Sequence, residues 1–286
     1  MIRTMKTEKT GWIGLGHMGT PMALNLQKAG FDLCVYNRSA GKLKKFEEKS
    51  VHISSSIEEV CNNCSTIFLM VSDDNAVESI FQEIFSTNIA GKLFINMSTV
   101  SPDTSKSIYR QCKQKSASYL EAPVSGSVKP ATEGSLIILA AGDETDYEKA
   151  IPFFEKLGKL SLFLGEAGKG ANAKLSINYY LASTIQVIAE TCLFAESKGI
   201  SRETMMLIVN ESACGSAMSQ MKTPAVIKNE YPAAFPLKHM AKDVRLVKEQ
   251  GLNTAMAQSI YEAFQKALIQ GLGDEDVMSV IKSVQK

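Results

Sequence analysis

Several groups of residues in this 286-residue chain are of types and at spacings that could do chemistry. The first is Gly14-Leu15-Gly16-His17-Met18-Gly19, a G-x-G-x-x-G run that follows a short apolar stretch and opens a helical pattern. In that setting the first glycine makes a tight turn, the second lets backbone approach a pyrophosphate, and the third lets helix and strand pack closely. Amides and the macrodipole at the helix start then hold phosphates. The six residues alone equally describe a purely structural turn. Their place at the head of an alternating α/β chain makes them a dinucleotide-binding signature. The second group is Asn37-Arg38-Ser39, with Lys42 close behind, at the end of the next strand. A carboxylate there would accept from a ribose 2′-hydroxyl. None is present, and the planar fork of Arg38 suits a 2′-phosphate. The expected cofactor is therefore NADP(H) rather than NAD(H), the alternative being an ordinary solvated basic loop.

Further groups could hold and protonate a substrate. Glu121-Ala122-Pro123-Val124-Ser125-Gly126-Ser127 ends a predicted strand, and its hydroxyls and loop amides suit a carboxylate. Met97-Ser98-Thr99-Val100-Ser101-Pro102 ends another, where open α/β sheets place their ligands. Lys174 and Asn178 lie four residues apart near the start of a long helical pattern, so they share one helix face. A positioned lysine ammonium stabilises a developing oxyanion and then gives it a proton, while a neighbouring asparagine orients the lysine or the substrate oxygen. On residue type alone Lys174 equally reads as a surface lysine.

The elements that must position these groups follow from pattern. Thr10–Leu15 and Phe31–Tyr36 read as strands around a helix over 21–29 that Gly30 closes. Thr66–Val71 and Lys92–Met97 are continuous apolar runs, the mark of strands buried on both faces of a parallel sheet. Ser55 or Ser56, Asp73/Asp74 and Ser101-Pro102 stand where helix starts are expected. Ser118–Ala122, Leu136–Ala141 and Leu160–Leu164 read as later strands. Beyond Gly170 the pattern becomes helical: a long helix to Ser197, then Arg202–Ser212, Leu237–Gln250, Thr254–Gln270 and Asp274–Val284. The fold class is α/β: an N-terminal doubly wound Rossmann-type domain over 1–167, joined through a long helix to an all-helical C-terminal domain over 168–286.

Composition bounds the partners. A net charge of +1 gives no footprint for nucleic acid or an acidic membrane, and no apolar run approaches the ~20 residues of a membrane span. Met1 to Thr10 is polar, without the apolar stretch of a secretory signal, so the six cysteines are expected as reduced thiols in a cytoplasmic chain. Cys61 and Cys64 form a lone C-x-x-C and the three histidines are scattered. No metal site is expected, and the two thiols read as a helix end. His239, one turn before Asp243, reads as a packed or partly solvated histidine.

The motifs W-I-G-L-G-H-M-G-T-P-M-A (12–23), V-Y-N-R (35–38), E-A-P-V-S-G-S-V-K-P-A (121–131), G-S-L-I-I-L-A-A-G-D (134–143), G-x-G-A-x-x-K-L-x-x-N (168–178) and Y-P-A-A-F-P-L-K-H-M-A-K-D-V-R-L (231–246) occur in that order over nearly the whole chain. In this the chain resembles the β-hydroxyacid dehydrogenases, which include 3-hydroxyisobutyrate dehydrogenase, and looks most like the glyoxylate/succinic semialdehyde reductases. The resemblance implies that Lys174 is the catalytic lysine and Asn178 its neighbour. It implies that Ser125, Gly126 and Ser127 bind the substrate carboxylate, and that Phe235 and Asp243 shape the pocket. Val71, Ser72 and Thr99 would line the nicotinamide side, and Lys242 would reach the cofactor. The implied reaction is NADPH-dependent reduction of a small aldehyde acid, glyoxylate or succinic semialdehyde, to the hydroxy acid, in a homodimer or homotetramer. The alternatives are a 3-hydroxyisobutyrate or tartronate semialdehyde-type dehydrogenase and a catalytically inactive NADP-binding scaffold. Two departures bear on the substrate: Tyr179 replaces the second asparagine of the usual pair, and Glu211–Pro224 diverges from the plant-like reductases.

Overall fold

The computed structural model describes residues 9–284 except 48, so the polar stretch from Met1 lies almost wholly outside the described residues. The chain divides into two compact units, one ending at Lys174 and the other beginning at Leu175. The division falls inside the long helix.

The first unit alternates strand and helix. In order these are β1 (Thr10–Ile13), α1 (Gly19–Lys28), β2 (Leu33–Tyr36), α2 (Lys44–Glu47), β3 (His52–Ile53), α3 (Ile57–Asn63), β4 (Thr66–Leu69), α4 (Asp74–Phe85), β5 (Leu93–Asn96), α5 (Pro102–Gln114) and β6 (Ser118–Glu121). The strands form one parallel sheet in the order β3-β2-β1-β4-β5-β6. Side chains of a strand alternate between faces, and both faces are buried. Trp12, Val35, Phe68, Ile95 and Leu120 belong to the core on one side, and Ile13, Cys34, Ile67, Phe94 and Tyr119 to the core on the other. This is why the strand segments read as unbroken apolar runs. The order reverses at β1 and β4, and ligands of open α/β sheets bind in the crevice beyond such a reversal. Helix starts fall at the residues expected to cap them: Ser56 accepts from Glu59 N–H, Asp73 from Ala76 N–H and Ser101 from Thr104 N–H. Cys61 lies on α3 and Cys64 caps its end, both buried.

After β6 the sheet does not continue. Pro123 has no N–H for a ladder, and the chain turns into β7 (Val124–Ser125), α6 (Val128–Glu133), β8 (Leu136–Ala140), α7 (Glu144–Leu157) and β9 (Gly158–Phe163). These strands make a separate sheet, β7-β8-β9, with β7 antiparallel to β8. Of the expected later strands, Ser118–Ala122 is β6 of the doubly wound sheet, whereas those at 136–141 and 160–164 exist outside it. The short strands β3 and β7 are absent from the sequence reading, because two residues carry no periodicity.

Helix α8 (Lys169–Ser197) leads into the second unit, followed by α9 (Arg202–Glu211), α10 (Ala217–Lys228), α11 (Leu237–Glu249), α12 (Ala255–Ile269) and α13 (Val280–Val284). Ala182, Ile185, Ala189 and Cys192 on α8 are buried in a core with Met240, Ala241 and Phe264. The opposite stripe of α8 leaves Ile177, Tyr180, Val187 and Phe194 exposed, Tyr180 at 67% and Phe194 at 68%.

Two segments differ from expectation. Helix α10, absent from the sequence reading, contains Pro224 in its interior. It is nucleated by a capping box in which the Ser216 hydroxyl accepts from Ser219 N–H and the Ser219 hydroxyl accepts from Ser216 N–H. The expected helix over 274–284 is instead one 3₁₀ turn, Val277–Ser279, followed by α13, with another 3₁₀ turn, Leu272–Asp274, before it. The cause is Asp276. One carboxylate oxygen accepts from Lys222 Nζ at 2.6 Å and from Met278 N–H, and the other from Ala234 and Phe235 N–H, each at 3.1 Å. A buried side chain so engaged stops one helical turn and fixes the segment carrying Phe235.

Candidate active site

The glycine turn joins β1 to α1 at the point where the strand order reverses. A side chain at Gly14 (φ +99°) would stand 2.3 Å from the Met70 carbonyl, and one at Gly19 would stand 2.1 Å from the Gly14 carbonyl. A side chain at Gly16 would meet no protein atom within 4 Å. Two of the glycines therefore serve the packing of the protein, while the position over Gly16 is open space. Inward-facing groups of the turn are taken: Trp12 Nε1 donates to the Gly14 carbonyl at 2.9 Å, and Thr20 Oγ1 to the Leu15 carbonyl at 2.9 Å. The Leu15 side chain is fully buried, and its amide donates to Asn37 Oδ1 at 2.8 Å. Leu15 thus holds the turn in place and has no donor left for a ligand. The amides of Gly16, His17 and Met18 find no partner among the described residues. Unanswered amides at a helix start, beneath open space, fit a pyrophosphate.

Asn37 is a brace with both ends committed. Besides taking the Leu15 amide, it donates Nδ2 to the Ser39 carbonyl at 2.9 Å. A cleft of ≈ 230 Å³ lies beside it, lined among others by Gly14, Arg38, Ser39, Val71, Ser72 and Glu83. Arg38 is exposed and makes no ion pair with a described residue. The carboxylate of Glu83, brought from α4, lines the same cleft. Inspection of the end of β2 could not reveal it.

Behind the cleft runs a buried polar chain that sequence reasoning missed. The Ser98 hydroxyl accepts from Val71 N–H at 2.9 Å, and Asn96 Oδ1 accepts from Ser98 N–H at 3.0 Å. Asn96 Nδ2 donates to the Tyr119 hydroxyl at 3.0 Å, which lies 3.3 Å from Ser105 Oγ, and that hydroxyl donates to Glu121. The other Glu121 oxygen accepts from Gly168 N–H at 2.8 Å, Gly170 N–H at 2.7 Å and Ala171 N–H at 3.2 Å. Burial pushes the Glu121 carboxyl above the usual range, with these hydrogen bonds pulling the other way. The available signal was a polar residue interrupting each apolar strand: Asn96 in β5 and Glu121 in β6.

The remaining predicted residues divide between the units. In the first, Ser125 lies on β7 and Gly126 takes φ +136°, which a side chain rarely allows. Ser127 stands at the N-cap of α6 without using its hydroxyl as a cap. Thr99 is half-buried beyond the end of β5, and Lys174 on α8 is only 8% exposed. In the second unit, Asn178 Nδ2 donates to Asp243 Oδ2 at 2.5 Å, and Lys242 Nζ lies 3.1 Å from Asp243 Oδ1. Buried Asp243 is thus the carboxylate that orients Asn178 and pairs with Lys242. Phe235 is half-buried, with the ring of His239 parallel to it at 6.4 Å. His239 is the partly solvated, packed histidine that the sequence suggested.

A glycine turn with free amides at a strand-order reversal, a cleft beside it and a buried lysine define a dinucleotide-dependent enzyme. Comparison with known proteins makes this specific. Residues 9–167 match the model of the NAD-binding domain of 6-phosphogluconate dehydrogenase, and residues 168–284 match that of the NAD-binding domain of NADP-dependent 3-hydroxyisobutyrate dehydrogenase. Glyoxylate/succinic semialdehyde reductase 1 of Arabidopsis thaliana is 39% identical over 97% of this chain and 98% of its own. Its chloroplastic counterpart, reductase 2, is 39% identical over 98% of this chain and 80% of its own. In fold, a 3-hydroxyisobutyrate dehydrogenase of Mycobacterium tuberculosis solved with L-serine superimposes with a TM-score of 0.88 at 23% identity, covering 98% of this chain and all of that one. The chain belongs to the β-hydroxyacid dehydrogenase family, as a 3-hydroxyisobutyrate dehydrogenase-like oxidoreductase that uses a nicotinamide dinucleotide.

The glycines give opposite predictions. Gly19→Ala should destabilise the fold by ~1–3 kcal/mol through overpacking, read as a lower urea midpoint. Gly16→Ala should leave the midpoint unchanged yet weaken dinucleotide binding by ~10-fold or more in calorimetric titration, as expected for loss of a charge-assisted amide contact.

Proposed function

We propose that this protein reduces a small aldehyde acid, glyoxylate or succinic semialdehyde, to its hydroxy acid with NADPH. The observation that carries the reading is the burial of Lys174, 8% exposed, because a lysine is rarely buried without a task. A bound nicotinamide dinucleotide supplies the hydride. The ammonium of Lys174 stabilises the oxyanion that forms on the aldehyde oxygen and delivers its proton. Ser125, Gly126 and Ser127 receive the substrate carboxylate through hydroxyls and a backbone that a side chain at position 126 would disturb. Asn178, held by Asp243, presents an oriented amide to the substrate, and Phe235 sets the apolar limit on the chain it accepts. Val71, Ser72 and Thr99 would flank a bound nicotinamide, and Lys242 would serve the cofactor. The names of the 39%-identical relatives support this substrate class.

Arg38 and the missing carboxylate at the end of β2 support NADP(H), with Glu83 the one group in the cleft that opposes it. No helix among the described residues is long and apolar enough to cross a membrane. The six cysteines are free thiols, which supports a reducing compartment, and we place the protein in the cytoplasm. The exposed apolar stripe on α8 supports a homodimer or homotetramer. Small acids and the dinucleotide are the remaining partners, with neither nucleic acid nor membrane among them.

Four measurements test this. Lys174→Ala should lower kcat at least ~10²-fold with cofactor affinity little changed; wild-type turnover would remove lysine from the mechanism. The kcat/KM values for glyoxylate and succinic semialdehyde should exceed those for methylmalonate and tartronate semialdehydes. Arg38→Ala should weaken NADPH by ~10-fold or more while sparing NADH, since a lost charge-assisted bond costs about 1.5–3 kcal/mol. Sedimentation equilibrium should return two or four chains per particle, and a monomer at micromolar concentration would refute the assembly.

A further inference from the structure

The G-x-G-A run at 168–171 has no task in the reaction as described, and neither has Glu121. The structure brings them together. Gly168, Gly170 and Ala171 donate their amides to a single Glu121 oxygen, at 2.8, 2.7 and 3.2 Å. A side chain at Gly170 would stand 2.4 Å from the Leu139 carbonyl and 3.0 Å from that same oxygen. Glycine at 170 is what lets the helix start descend onto the carboxylate. Glu121 is 1% exposed and Ser105, its other partner, is fully buried.

A helix fixed at its first turn is fixed in rotation and in height, and residues three and four further on lie over the same face. Lys174 is three residues beyond Ala171, within the same compact unit. We propose that Glu121 is a positioning residue for Lys174: its carboxylate sets where α8 begins and so where the ammonium stands. The buried chain through Ser105, Tyr119, Asn96 and Ser98 ties that placement to the backbone of Val71 at the dinucleotide cleft. The lysine and the wall of the cofactor site are thereby held to one frame, within a single unit. This role rests on the reading of Lys174 as proton donor.

The side chain at 121 acts here as an acceptor of amide hydrogens. Glutamine keeps an acceptor oxygen for those amides and offers an N–H to the Ser105 oxygen, whereas alanine leaves three buried amides unanswered. Glu121→Ala should therefore lower kcat by ~10-fold or more, the scale of a small misplacement of a reacting group, with NADPH affinity changed less than about two-fold. Glu121→Gln should recover turnover to within about three-fold of wild type.

The deciding readout is a double-mutant cycle. In a Lys174→Ala background, Glu121→Ala should cause no further loss of the residual turnover, because a residue acting only through the lysine has nothing left to position. Should Glu121→Ala not fold, Ser105→Ala, which removes one bond to the carboxylate, should give a smaller loss that likewise vanishes without the lysine. Full additivity of either variant with Lys174→Ala, or wild-type kcat in a folded Glu121→Ala, would overturn the positioning role. Wild-type turnover in Lys174→Ala alone would overturn the proton-donor assignment and the positioning role with it. An impaired Lys174→Ala combined with additivity overturns only the latter.

Discussion

Backbone N–H groups at the start of a helix have no partner within the helix, and in the interior of a protein they must be answered. The first unit contains two glycine-marked helix starts that meet this constraint in opposite ways. At α1, the chain gives the Leu15 amide to Asn37 and leaves those of Gly16, His17 and Met18 for an anion from outside. At α8, it brings its own acceptor, the Glu121 carboxyl, and closes the position. Much of the site geometry follows from this pair of choices. The open start is where a dinucleotide can be received, and the closed start lies one turn from Lys174.

The second unit solves a related problem with paired charges. Buried Lys222 and Asp276 face each other at 2.6 Å, and Asp276 also takes the amides that hold the segment carrying Phe235. Asp243 lies between Asn178 and Lys242. Removing one member of such a pair leaves the other buried and uncompensated, which costs far more than the pair contributes. In both cases the carboxylate fixes the direction of neighbouring groups: an apolar residue of equal size would fill the space but would not orient an amide.

How much of this was legible depended on whether the information was local. Strands β1, β2, β4 and β5 could be read because burial on both faces writes itself as an apolar run, and the start of α5 because Ser101-Pro102 is a local signal. Helix α10 went unread: its interior Pro224 is a local signal against a helix, and the Ser216–Ser219 box starts one there all the same. The continuous helix expected after Asp274 fails because Asp276 finds partners at Lys222 and Phe235, far away in sequence. The site followed the same rule. The glycine turn, Lys174 and Ser125 carry type and spacing. Glu121 stood in plain view within a quoted motif, but its function is defined by three amides almost fifty residues later. Leu15 is the converse case: it sits inside the motif, and its buried side chain and its amide bond to Asn37 serve to hold the turn.

Trp12, the single tryptophan of the chain, is fully buried, stacked on Phe68 with ring centroids 5.3 Å apart, and its indole N–H is bound to the Gly14 carbonyl. Indole emission depends on the hydrogen bond at its nitrogen and on the dipoles around it. The protein therefore carries a built-in optical probe wired to the first glycine of its cofactor turn. Excited to the red of tyrosine absorption, the emission of this protein comes from one residue at one place, so its indole spectrum is a spectrum of that turn.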